Sequence, residues 1–238
     1  MPVWDKFLTD QDKKHLKVWG KNDLFGFGDK PAILAIDLYY SVVGLVREPI
    51  LESIKTWPGS CGLAGWEAVD KTVELLASAR ENNIPIIYCH GLDDFNVPWN
   101  RKGGRGNPLA HLPAEVRAKA NEIIAEVTPR PGDTVLKKTA ASIFQGTPLE
   151  FKLNYLGIDT LIVCGETTSG CVRASVVDGH ANRYSIGVVE ECCFDRTEAS
   201  HAINLFDMHQ KYADVVSLGY AKEYMAKIGS SKKVLVGA

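Results

Sequence analysis

From residue 31 onward, short apolar runs alternate with longer stretches whose apolar positions recur at helical spacing. Residues 31–37 (PAILAID) have the length and apolar character of a buried strand stopped by a carboxylate. In residues 63–81, Val69, Val73, Leu75 and Leu76 fall on one face of a helix, which Asn82-Asn83 ends. A second strand follows at 84–90 (IPIIYCH), then a helix over 113–127 with proline at its start, where a missing N–H costs little. Residues 134–138 (TVLKK) form a third strand, and Thr147-Pro148 opens the next helix. The fourth strand is 160–165 (TLIVCG), with a helix over 170–182. Strands at 185–192 and 213–218 alternate with helices at 197–211 and 221–228.

This alternation predicts one α/β domain, residues 31–238: a three-layer, doubly wound, mostly parallel six-stranded sheet with helices on both faces. The strand order expected of it is 3-2-1-4-5-6. Residues 1–30, with one short helix at 10–19 and the Gly-rich FGFGD, read as an N-terminal arm. Two long loops, 38–62 and 91–112, interrupt the pattern, and loops of that length in a compact domain are usually functional.

Composition narrows the function. With 27 Lys+Arg against 29 Asp+Glu the net charge is −2, which gives no electrostatic case for nucleic acid or an anionic membrane surface. No apolar run reaches the ~18 residues of a membrane span, and the first residues lack signal-peptide character. The expected compartment is therefore the cytoplasm, with the six cysteines reduced. No histidine pair has metal-ligand spacing, so neither a metal nor a cofactor is expected. The expected partner is a small molecule, and the expected assembly a homo-oligomer, dimer or tetramer.

In doubly wound sheets ligands sit beyond the carboxyl ends of the strands, where the strand order reverses. Strand one delivers Asp37 there, strand three Lys138, and strand four runs through Gly-Glu-Thr-Thr-Ser-Gly into Cys171. Placed in the first turn of a helix, Cys171 would have its thiolate favoured by free N–H groups and by Lys138, with Asp37 to hold the lysine or take the thiol proton. The alternative for Cys171 is a buried, inert thiol.

The residues that carry this chemistry also carry a resemblance. GFGDKPAILAID, KTAASIFQGTPLEFKLNYLGIDTLIVCG and GETTSGCVRASVVDG make the chain resemble the isochorismatase-like cysteine hydrolases, and within them the N-carbamoylsarcosine amidase and maleamate amidohydrolase group, over roughly residues 25–218. The resemblance implies Cys171 as nucleophile with Asp37 and Lys138 as partners. It also implies a cis peptide at Glu166–Thr167 and an oxyanion hole from the N–H groups of Thr167 and Cys171. The function it implies is hydrolysis of a linear amide or carbamoyl C–N bond in a small carboxylated substrate of the N-carbamoylsarcosine type, through a thioester. A maleamate- or nicotinamide-type amidase is the rival, and a non-catalytic interaction protein on the same fold a third reading. Keeping three buried ionisable groups argues against the last. The chain departs from the family at Leu38-Tyr39-Tyr40, at Ser142-Ile143-Phe144, and at Glu166, where small or apolar residues are more usual.

Four further residues are candidates for substrate binding. Arg196 follows strand five, and a guanidinium grips a carboxylate as a fork; the resemblance favours that role over a solvated surface arginine. His90 is a candidate pocket wall. Trp99 and Arg101, with Lys102, sit in the second long loop, where they would form a lid. Cys89-His90 is a poor thiol–imidazole pair because neighbours on a strand face opposite ways.

Overall fold

The computed structural model describes residues 1–21, 23–90, 110 and 112–236. Six strands, β1 (Pro31–Ile36), β2 (Ile86–His90), β3 (Thr134–Lys137), β4 (Thr160–Glu166), β5 (Ser185–Phe194) and β6 (Asp214–Val216), form one sheet in the order β3-β2-β1-β4-β5-β6. Every pairing is parallel. Both the strand order and the layering agree with the sequence reading.

Alternation along β1 explains the layers. Ala32, Leu34 and Ile36 point into one core, and Ile33 and Ala35 into another. The first core packs α6 (Leu149–Leu156), α7 (Arg173–Ala181) and α8 (Glu198–Lys211) on the sheet through Leu149, Leu153, Val176, Leu205 and Met208. The second packs α4 (Gly62–Glu81) and α9 (Leu218–Val236) on the opposite face through Val69, Leu75, Leu76, Ala221 and Met225. Both faces of the sheet are covered, so β1 and β4 are buried along their whole length.

The first 30 residues hold α1 (Asp10–Trp19), started by a capping box between Thr9 and Asp12. α1 itself buries no residue, yet Trp4 ahead of it is 7% exposed and packs on Phe206 and His209. Behind it, Lys21 pairs with buried Asp214.

Three expectations need correcting. The helix predicted over 113–127 is broken into α5 (Ala114–Ala118) and a short 3-10 turn at Ala125–Val127. Between them the chain is recruited by the segment leaving β1. Ser41 N–H donates to Ala120 O, Tyr40 N–H to Glu122 O, and Ile124 N–H to Leu38 O. Satisfying those peptide groups outweighs a modest helical propensity. The loop 38–62 contains α2 (Tyr40–Val43) and α3 (Ile50–Thr56), both too short to leave a periodicity in the sequence. The last helix, α9, begins earlier and ends later than 221–228.

Two backbone features shape the carboxyl edge. Gly165 has φ 113°, and a Cβ there would meet Ile36 O at 1.9 Å, so only glycine lets β4 pass β1 beside the end of that strand. The register of β5 slips at the same level: Val163 faces Val188, but Gly165 faces Cys193. The slip carries β5 past its partner and brings Phe194 alongside Glu166.

Candidate active site

Asp37 directly follows β1 in a left-handed conformation (φ 51°), a region that aspartate visits more readily than most residues. Lys138 directly follows β3, and Cys171 lies in a π turn, Thr168–Val172, between β4 and α7. The three side chains converge. Lys138 Nζ lies 2.8 Å from Asp37 Oδ2 and donates to Cys171 Sγ at 3.1 Å. It also donates to the carbonyls of Ala140 and Ala141, each at 3.3 Å. Asp37 and Lys138 are both buried.

A fourth side chain joins the cluster. Cys89 on β2 donates its S–H to Asp37 Oδ1 at 3.1 Å and accepts the Asp37 N–H at 3.3 Å. Oδ2 is the oxygen that faces the Lys138 ammonium, at ion-pair distance.

The charge state of Cys171 corrects an expectation. Burial, seconded by the Asp37 charge, pushes its thiol up to about 12, and Lys138 only partly opposes this. The resting nucleophile is therefore a thiol, not the thiolate expected from the helix terminus and the lysine. Lys138 is lowered by burial but raised more by Asp37 and by the sulfurs of Cys171 and Cys89 together, so it stays charged. The arrangement is a neutral thiol beside a carboxylate–ammonium pair.

Thr167 and Glu166 form the wall next to Cys171. The Glu166–Thr167 peptide bond is cis, and the Thr167 carbonyl accepts the N–H groups of Gly170 and Val172 at 2.8 and 3.2 Å, which shapes the turn presenting the thiol. Ser169 N–H donates to Asp195 at 2.9 Å, and Thr168 Oγ1 donates to Phe194 O at 3.1 Å. These bonds tie the turn to the end of β5, from which Arg196 projects.

Arg196 is exposed, yet its guanidinium is already paired. Its Nη2 lies 2.7 Å from Glu166 Oε1 and its Nη1 donates to Thr167 Oγ1 at 3.2 Å. The Thr167 hydroxyl donates to the same Glu166 oxygen. Arg173 instead turns away from the site, to Asn204 at 2.5 Å and Asp207 at 3.4 Å. His90 ends β2 opposite Lys137, and its side chain, like Trp99, Arg101 and Lys102, lies outside the described residues. Among the described residues no three of His, Cys, Asp and Glu converge as metal ligands, and no helix is long and apolar enough to cross a membrane.

Two contributors escaped the sequence reading. Cys89 was legible as a strand residue but not as a partner of Asp37, since that contact needs the β1–β2 register. Tyr39 was noted only as a departure, yet its hydroxyl lies within the fields of Asp37, Glu166, Cys89 and Cys171, which add to burial in keeping it protonated.

A strand order of 3-2-1-4-5-6 with Asp, Lys and Cys at the ends of its first, third and fourth strands defines a class. The chain belongs to the isochorismatase domain family, whose model matches residues 32–219. Its sequence is 35% identical over 214 residues to a maleamate amidohydrolase of Pseudomonas putida, covering 84% of this chain and 88% of that one. It is 31% identical over 214 residues to an N-carbamoylsarcosine amidase of an Arthrobacter species, covering 84% and 73%. The crystal structure of an N-carbamoylsarcosine amidase from Thermoplasma acidophilum superposes with a TM-score of 0.60 at 25% identity, covering 79% of this chain and 96% of that one. Within the family this chain is an amidohydrolase, acting on carbon–nitrogen bonds outside peptides.

Proposed function

We propose that the protein hydrolyses a small linear amide or carbamoyl compound through a thioester on Cys171, releasing ammonia. The observation that carries this reading is the contact chain Asp37–Lys138–Cys171, with a thiol at one end and a carboxylate paired to the lysine at the other. As the Cys171 sulfur attacks the carbonyl carbon, its proton passes to Asp37, and the carbonyl oxygen takes the negative charge against the N–H groups of Thr167 and Cys171. Lys138 stabilises the sulfur as it sheds its proton. The C–N bond then breaks, the leaving nitrogen takes the proton from Asp37, and ammonia departs. Water attacks the thioester, giving its proton to Asp37. Collapse returns the proton to the sulfur and frees the acid.

The names of the two relatives favour a carboxylated substrate of the N-carbamoylsarcosine or maleamate type, which would need Arg196 as its anchor. The Glu166–Arg196 contact favours an uncharged substrate of the same reaction. The chemistry is tested by ammonia release from a panel of linear amides and ureides. Wild-type protein should release ammonia from at least one of them, and a folded Cys171→Ala variant from none. Equal release by both would refute the nucleophile.

A further inference from the structure

We propose that Glu166 sets the substrate class: by occupying Arg196 it turns the site against carboxylated amides and toward uncharged amides or ureides. This rests on the hydrolase reading above and names the substrate class of that same site.

Glu166 is the last residue of β4 and the neighbour of Thr167, and it is only 3% exposed. A carboxylate so buried must be paired, and here the pairing is closed on three sides. Arg196 meets Glu166 Oε1 and Thr167 Oγ1 through two different nitrogens, while the Thr167 hydroxyl bonds back to Glu166. The guanidinium is held in place by this ring, with one of its nitrogens already spent on a carboxylate. A substrate carboxylate approaching the edge that Glu166 holds must displace it and leave a buried carboxylate unpaired.

Charge points the same way. In the two ion pairs found at the site among the described residues, Asp37 and Glu166 supply two anions and Lys138 and Arg196 two cations, each anion within ion-pair distance of its own cation. Glu166 shares this field with the catalytic groups: Asp37 acts on it, and both act on Tyr39. The resting site is thus balanced before any substrate enters. A carboxylated amide would bring a third anion against these two cations, and because the oxyanion forms as Asp37 takes the thiol proton, the excess anion persists through the tetrahedral intermediate. Like charges brought together away from water are strongly unfavourable, so the site selects against them. An uncharged amide leaves the balance intact.

A matched pair of substrates tests this. Maleamate and maleamide share the reacting amide and differ in whether the far end is a carboxylate. Wild-type protein should show a kcat/KM at least about tenfold higher for maleamide, and Glu166→Gln should move the maleamate-to-maleamide ratio at least about tenfold toward maleamate. Calorimetry with maleate, which cannot be hydrolysed, should show at least about tenfold tighter binding to the variant. A wild-type preference for maleamate overturns the proposal, as does a folded Glu166→Gln protein with an unchanged ratio. Should Glu166→Gln fail to fold, the wild-type comparison decides alone. Should neither amide be hydrolysed, maleate binding decides: tighter in the variant supports the role of Glu166 even as the hydrolase reading fails, and equal binding overturns it.

Discussion

Asp37 and Cys89 are joined by two hydrogen bonds in opposite senses, the backbone N–H of Asp37 to the sulfur and the thiol to Asp37 Oδ1. The pair fixes both the left-handed backbone of Asp37 and the rotation of its carboxylate, so that the other oxygen faces Lys138.

Replacing Cys89 with alanine removes the donor and leaves a buried carboxylate oxygen unpaired, at a cost of about 1–3 kcal/mol. Cys89→Ala should therefore melt lower and lose most of its kcat. Cys89→Ser keeps a donor of similar size and should recover much of the loss. If serine were no better than alanine, in kcat or in melting temperature, the hydrogen bond would have no part in positioning Asp37.

Lys138 is the only cation in contact with Asp37 among the described residues. Lys138→Met leaves that buried charge uncompensated, which costs about 3–5 kcal/mol. The double variant Asp37→Asn/Lys138→Met removes both charges and should regain a large part of the stability while staying inactive. Denaturant unfolding of the two single variants and the double gives the coupling energy directly. Additive losses would mean that the pair is not coupled.

Cys171 is the one thiol of the six that is not buried. Brief iodoacetamide treatment followed by peptide mapping should find it labelled first, because of access and not of acidity. Burial pushes its thiol up to about 12, so the labelling rate should climb about tenfold per pH unit from 7 to 10. A plateau near neutral pH would show a resting thiolate and reverse the charge assignment made here.

Much of this was legible from residues alone, for a physical reason. Buried parallel strands are short apolar runs, and their carboxyl ends are marked by the polar residue that stops each run, so Asp37, Lys138 and Cys171 could be placed on one edge before any contact was known. What depends on register or burial could not. Cys89 and Asp37 are 52 residues apart, and Arg196 and Thr167 29 apart, so neither contact leaves a local signal. The direction of the Cys171 shift was misjudged because lysine and helix terminus are visible in a sequence while desolvation is not. The helix expected at 113–127 failed for a related reason: its residues had a helical pattern, but the peptide groups after β1 competed for them.

The central claim is covalent chemistry at Cys171, and intact-protein mass spectrometry of a quenched reaction addresses it most directly. During turnover of an amide substrate, an acid-quenched sample should carry an added mass equal to that of the substrate less ammonia. Peptide mapping should place that mass on Cys171, and hydroxylamine should remove it, as it does a thioester. Steady ammonia release with no adduct in rapidly quenched wild-type protein, and undiminished release by Cys171→Ala, would contradict the account.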